Sequence, residues 1–393
     1  MSWPLVKLDS VVEVLSGFAF KSSSFNKASQ GVPIIRIQNV AENNSEEDFV
    51  YWDESYKEKF LIDDGDILLS LSGNIKLGIW GNGKALLNQR IIKISEKEGL
   101  DKGYLFYFLM SAVKSIAALG KEAVISNVSV NDFKALLIPL PPLETQKQIA
   151  AVLEKADQLR KDCQQMEQEL NSLAQSVFID MFGDPVTNPK GWEVRKLKEF
   201  YISEKDGTKC GPFGSALKKE EFVESGVPVW NMDNIALNGT FRDGASLWIT
   251  KQKYEELDKY SVNQGDVIIS RAGTVGKMGV VKSIYEQSII STNLIRVRFG
   301  DKLNPLYFVC LMTYFKTRLK RLKVGDDGSF SHMNTGILDQ LEFPYPPVEE
   351  QQKYIQFRSK LDDEIERLTS LKNEHECNFN SLMQKAFKGE LNL

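Results

Sequence analysis

The chain has 393 residues, 42% of them hydrophobic and 26% charged, with a net charge of −4. That length admits two or three domains with cores of their own, and the composition is that of a globular protein. It contains no 18-residue apolar run, no signal-peptide pattern and no CxxC among Cys163, Cys210, Cys310 and Cys377, so a reducing, cytoplasmic setting without metal or disulfide framework is expected.

Residues 1–142 form the first predicted domain. Short runs rich in Val, Ile and aromatics, "GVPIIRI", "GDILLSL" and "QRIIKIS", alternate with Gly, Asn and Asp, the pattern of strands and turns. A helical patch, "KGYLFYFLMSAVKSIAAL", comes late, and the domain closes on "FKALLIPLPPLETQKQIA". Proline cannot donate to a sheet ladder but is tolerated in a helix's first turn, so "PLPPLE" marks a sheet-to-helix junction. "GIWGNGKA" matches a phosphate loop as far as Lys84. Ala85 then stands where Ser or Thr would hold magnesium, and the flanks read as a hairpin, so no nucleotide site is expected.

Residues 143–183 are predicted to form one long helix. Ile149, Val152, Ala156, Leu159, Cys163, Met166, Leu170, Leu173 and Val177 recur at alternating spacings of three and four, the seam of a coiled coil. Glu144 sits at the positive end of the helix dipole. A helix from Glu144 to Phe178 is roughly 50 Å long at 1.5 Å per residue, enough to hold two domains apart.

Residues 184–347 then repeat the first domain. "WPLVKL" at Trp3 pairs with "WEVRKL" at Trp192, "GVPIIRIQNV" with "GVPVWNMDNI", and "GDILLSLSG" with "GDVIISRAG", at offsets of 189, 195 and 200. The proline junctions, "PLPPLETQKQIA" and "PYPPVEEQQKYI", are 205 apart, and "SLAQSVF" matches "SLMQKAF" at 209. An offset that only grows, in small steps, is that of a duplicated unit with loop insertions. Residues 348–393 form the second helix, with Glu349 in its first turn. Its looser seam runs through Tyr354, Phe357, Leu361, Leu368, Leu371 and Leu382, with Ile365 and Phe379 one position off and His375 at a core position. The two stripes need each other, and antiparallel pairing is favoured. The expected class is therefore α+β: two similar β-rich domains separated by an antiparallel two-helix coiled coil.

Histidine is scarce (His332 and His375), and neither a catalytic constellation nor a metal-spaced cluster occurs. Residues 1–138 carry 15 Lys+Arg against 17 Asp+Glu, whereas residues 192–340 carry 22 against 18. Binding residues are a better prospect than catalytic ones. Lys316, Lys320 and Lys323 share one helix face, where they either meet phosphates or form a solvated helix end. The loop "SRAGTVGK" offers Arg271, Thr274 and Lys277, and its counterpart "SLSGNIK" offers Ser72, Asn74 and Lys76. After the GVP strands come Arg36, Gln38 and Asn39, then Asn231, Asp233 and Asn234. These types read base edges and phosphates, although Asn and Asp at strand ends also form turns. Lys21, Arg90, Lys218, Lys219 and Asn293 complete the candidate set. Different side chains on one scaffold imply two different half-sequences.

With the paired "GD…S…G" stretches (Gly65–Gly73, Gly265–Gly273), the two proline junctions and the endings "LAQSVFIDMFGDP" and "LMQKAFKGEL", the chain resembles the specificity subunit of type I restriction–modification systems over nearly its whole length. The resemblance implies that each recognition domain reads one half of a split, asymmetric site in double-stranded DNA. It also implies that the helices set the gap and dock two modification (methyltransferase) subunits, and that restriction (translocase–nuclease) subunits join that core. The S-adenosylmethionine and ATP sites would belong to those partners, so no cofactor, no membrane and no catalytic residue is expected of this chain. The first copy departs from the pattern: "SLSGNIKLGIW" lacks the "GTVG" of the second. Two other readings stay open here: a related split-site enzyme whose partner fuses methylation with cleavage, and a coiled-coil adaptor without a DNA role.

Overall fold

The computed structural model describes residues 3–40, 49–73, 75–118, 128–213, 216–271, 276–319 and 333–391, with backbone alone for 114–118 and 316–319. The chain is α+β and divides into two units, Met1–Gln165 with Leu368–Leu393, and Met166–Arg367.

The first unit contains β1 (Leu5–Lys7), α1 (Leu8–Val11), β2 (Val12–Ser16), β3 (Val32–Ile35), β4 (Val50–Trp52), β5 (Leu61–Ile62), β6 (Ile67–Ser70), β7 (Leu77–Ile79), β8 (Ala85–Leu87), β9 (Ile91–Glu96), α2 (Lys102–Ala118), α3 (Val130–Lys134), β10 (Leu137–Pro139) and the start of α4 (Leu143–Phe182). Its sheets have the orders β2-β9-β6-β7, β4-β3-β8-β5 and β1-β10; every pair is antiparallel except β3 with β8. β6 is buried at all four positions, so its alternating side chains serve two cores. Ile67 and Leu69 face α2, while Leu68 joins Ile35 and Trp80. α2 buries six residues in a row, Tyr104 to Leu109, as an interior helix does.

The second unit repeats this plan with β11 (Glu193–Lys196), β12 (Thr208–Cys210), β13 (Val227–Trp230), β14 (Trp248–Ile249), α5 (Lys251–Glu256), β15 (Val267–Ser270), β16 (Met278–Val280), β17 (Ile289–Ile290), β18 (Leu294–Val297), α6 (Pro305–Leu319), α7 (Thr335–Asp339), β19 (Glu342–Tyr345) and α8 (Val348–Lys388). The orders β12-β18-β15-β16, β14-β13-β17 and β11-β19 follow the first unit, with β13 and β17 again parallel, except that the place of β5 is taken by a single antiparallel bridge, Ser261 to Ile289. Val267 and Ile269 enter one core and Ile268 the other. Among the described residues no helix is long and apolar enough to cross a membrane.

Each unit is completed by the two long helices. In the first, Ile149, Ala150 and Leu153 of α4 meet Phe379, Met383 and Ala386 of α8, and Phe387 packs on Tyr104 and Phe108 at 5.3 and 5.5 Å. In the second, Phe178 and Phe182 of α4 pack on Tyr307 and Tyr354, and the Tyr354 hydroxyl donates to the Ala174 carbonyl at 3.2 Å. In the first unit Arg160 reaches Glu376 and Phe379, while Ile149 and Leu153, earlier on α4, share a core with Met383 and Ala386, later on α8, so the pairing is antiparallel. The matched phenylalanines of "SLAQSVF" and "SLMQKAF" thus occupy matched aromatic sockets.

The inward face differs from the row read off the sequence. Ile149, Leu361 and Leu368 are buried and Leu170 and Phe357 half-buried, as expected of a seam, and so are Ile365 and Phe379 on its line. Val152, Leu159, Met166 and Leu173, in contrast, are 37% to 49% exposed, and Leu371 is exposed too. Cys163 of the expected row is buried, and the other inward positions go to Leu153, Asp157, Arg160 and Ala174. Pairing explains this. Buried Asp157 accepts from Arg160 and pairs with Lys161 at 3.2 Å, while Arg160 reaches Glu376 at 3.1 Å and lies over the Phe379 ring. Charged residues that satisfy one another sit inward, which a purely apolar repeat cannot register.

Candidate nucleic-acid interface

The repeated "GD…S" stretch is the framework on which the candidate loops hang. Gly65 and Gly265 adopt φ of 87° and 83°, a left-handed turn that favours glycine. The next residue closes the turn: an Asp66 carboxylate oxygen accepts from the Asp63 amide at 2.9 Å, and one of Asp266 from the Asn263 amide at 2.7 Å. At the far end of β6 and β15, buried Ser70 and Ser270 staple a loop shut. Their hydroxyls accept from the Lys76 and Lys277 amides at 2.8 and 3.0 Å, and their own amides donate to the same lysines' carbonyls. Each lysine then points Nζ at the turn following the GVP strand. Lys76 donates to the Gln38 carbonyl at 3.4 Å and Lys277 to the Met232 carbonyl at 3.1 Å. Two stretches 38 and 45 residues apart in sequence thereby meet at the same turn of both units, on carbonyls one aligned position apart.

Several predicted candidates gather here. Gln38 and Asp233 are exposed on those turns, Arg36 and Asn231 half-buried beside them, and Arg90 and Asn293 exposed across from the loops. The Arg90 and Asn293 carbonyls take matched hydrogen bonds from the Leu71 and Arg271 amides, at 2.8 and 2.9 Å. Lys21, Lys218 and Lys219 are exposed.

Three candidates prove to be interior. Asn39 and Asn234 are 1% and 2% exposed, and their Oδ1 atoms accept from the Arg36 and Asn231 amides at 3.0 and 2.9 Å. Asn234 also donates to the Arg242 and Gly244 carbonyls. Both asparagines shape the turn rather than face a ligand, the Asx-type role that competes with binding at such positions. Ser72 is 3% exposed, its hydroxyl without a hydrogen-bond partner among the described residues. Asn74, Thr274, Lys320 and Lys323 lie outside the described residues, as does the side chain of Lys316 on the last turn of α6.

The arginines of the second unit fall into two kinds. Arg296, almost wholly buried, and Arg298 share Asp206, and Arg298 also holds Asp266 through two 2.8 Å bonds. Burial pushes the Asp206 carboxyl up, but the two guanidinium groups outweigh it and hold it below the usual carboxylate range. These pairs are architectural. Arg271 differs: its guanidinium lies 4.7 Å from the centre of the Phe213 ring, and no carboxylate among the described residues pairs with it. Phe213 is 57% exposed, and its part was not foreseen; the signal was present in "GPFG", aligned with "GFAF" of the first copy. Also missed were Gln146 and Gln351, each fully buried. Gln146 accepts from the Asp101 amide at 2.8 Å and donates to the Gly99 and Pro141 carbonyls. Gln351 accepts from the Asn304 amide at 2.9 Å and donates to the Pro346 carbonyl. Among the described residues no group of three His, Cys, Asp or Glu is placed to hold a metal ion.

A family model described as the type I restriction modification DNA specificity domain matches residues 2–172 and again residues 189–375. The chain is 23% identical over 425 residues to the type I restriction enzyme EcoBI specificity subunit of Escherichia coli, covering 99% of this chain and 86% of that one. It is 27% identical over 328 residues to the MjaVIII specificity subunit of Methanocaldococcus jannaschii, covering 78% and 75%. Among solved structures, the S subunit of a type I restriction-modification system from M. genitalium superposes with a TM-score of 0.58 at 16% identity, covering 98% of this chain and 96% of that one.

Proposed function

The chain belongs to the type I restriction–modification DNA specificity family, and from that membership we propose that it chooses the DNA site for a restriction–modification complex in the cytosol, catalysing nothing itself. Each recognition portion, residues 1–142 and 184–347, reads one half of a split, asymmetric duplex sequence. Helices 143–183 and 348–393 set the gap and dock two modification subunits, which restriction subunits then join. The observation that carries this reading is one framework built twice, with the same loop lysine against the same turn and different side chains around it. Retained lysines suit phosphate, which is common to every sequence, and exchanged neighbours suit bases. For docking, Val152, Leu159, Met166 and Leu173 give α4 an exposed apolar row at heptad spacing, the form a partner helix packs on.

The test is binding of the chain, assembled with its modification subunits, to a randomised duplex library at several salt concentrations. Two conserved half-sequences at a fixed gap are expected. Lys76→Ala with Lys277→Ala should weaken binding on all sequences and lower the salt slope by about one per lysine. Binding to no duplex would favour the adaptor reading instead.

A further inference from the structure

We propose that Arg271, preset on the ring of Phe213, is the side chain with which the second unit reads a guanine; this rests on the DNA reading above and narrows it to one residue and one base. The duplication supplies an internal control. Position 271 corresponds to 71, since both follow the buried serine and donate their amides to matched carbonyls, of Asn293 and Arg90. Position 213 corresponds to 19, each two residues beyond a glycine. Those glycines, Gly17 and Gly211, are so close to a neighbouring strand that a Cβ would lie 1.9 Å from a carbonyl oxygen. The first unit carries Ala19 and buried Leu71 where the second carries exposed Phe213 and half-buried Arg271. The framework therefore folds without the pair, and both members differ together.

The arginine is poised but unmatched. Nη1 of Arg271 is closed to solvent and has no acceptor among the described residues, whereas Arg298 and Arg358 of the same unit hold carboxylates. A buried donor without a partner is costly until an acceptor arrives. Stacking on an aromatic face fixes the guanidinium plane and leaves its edge as the binding surface. Guanine presents two adjacent acceptors, O6 and N7, matched to that fork. Phosphate would match too, but a phosphate contact serves any sequence and belongs where the copies agree, as Lys76 and Lys277 do. Leu71 and Arg271 disagree in kind, as residues reading different half-sequences must.

Three variants test this in the assembled complex, by sequencing duplexes selected from the randomised library. Arg271→Leu installs the residue the first unit already accommodates. The native complex should select a guanine at one position of one half. Arg271→Leu should lose roughly 10- to 100-fold of discrimination there, leaving the remaining positions and the other half unchanged. Arg271→Lys should lose that discrimination while keeping most of the affinity. Phe213→Leu should lose roughly two- to tenfold at the same position. A loss spread evenly over all sequences would make Arg271 a phosphate contact and overturn the proposal, as would unchanged selection or a native half-site lacking guanine. In each of those cases the native complex still selects DNA, so the reading of the chain as a specificity subunit stands; a native complex that selects nothing overturns both.

Discussion

Gln146 and Gln351 do at the scale of single residues what the proline junctions announce. Each is fully buried on the first turn of a long helix and ties the proline junction to the turn that precedes α2 or α6, so the helix leaves its unit at a fixed place. Replacing either by Leu leaves an amide and at least one carbonyl unpaired. It is expected to cost about 1–3 kcal/mol for each group so stranded, read from urea unfolding. Asp206 gives a pH signature. Its carboxyl is depressed by Arg296 and Arg298, so its contribution is complete above the unfolded carboxylate value of about 3.9 and is lost as pH falls through the lower folded value. Asp206→Asn should lower stability at neutral pH and flatten its decline below about pH 4; a decline as steep as the native one would dismiss the network as its source. Much at this scale was legible. The "GD…S" stretches, Lys76 and Lys277 stand out in the sequence as repeated features. What each does was less legible, because Asn39 and Asn234 look like ligands until their carboxamides are seen closing a turn. Position in a repeat does not distinguish a residue that builds a loop from one the loop presents.

Among elements, the long helices show where hydrophobic periodicity ends. Their existence, length and antiparallel pairing follow from spacing, but the inward face of α4 lies beside the most apolar row. Asp157 and Arg160 sit inward because their charges are matched locally, leaving Val152, Leu159, Met166 and Leu173 outward. Thermal unfolding separates the two faces. Leu153→Ala should cost 2–5 kcal/mol, as for a fully buried leucine. Leu159→Glu should change stability by less than about 0.5 kcal/mol yet abolish co-purification with the modification subunits. The reverse order of stability losses would restore the seam expected from the sequence.

On the scale of the whole molecule, α4 passes from the first unit into the second at Gln165 and α8 passes back at Arg367. One heptad inserted after each of these residues adds roughly 10 Å of helix, about three base pairs of duplex. Methylome sequencing should then find the two half-sequences unchanged and the gap longer by about that amount; an unaltered gap would deprive the helices of their measuring role. The same chain path bears on how the protein is made. The second unit is one continuous stretch, Met166–Arg367, whereas the first borrows Leu368–Leu393, with Phe379, Met383, Ala386 and Phe387 in or against its core. Although its sequence leaves the ribosome before that of the second unit, that core is finished after it, because its closing contacts wait for α8 to emerge. A premature stop codon ahead of α8 would therefore injure the module that is encoded before the second unit.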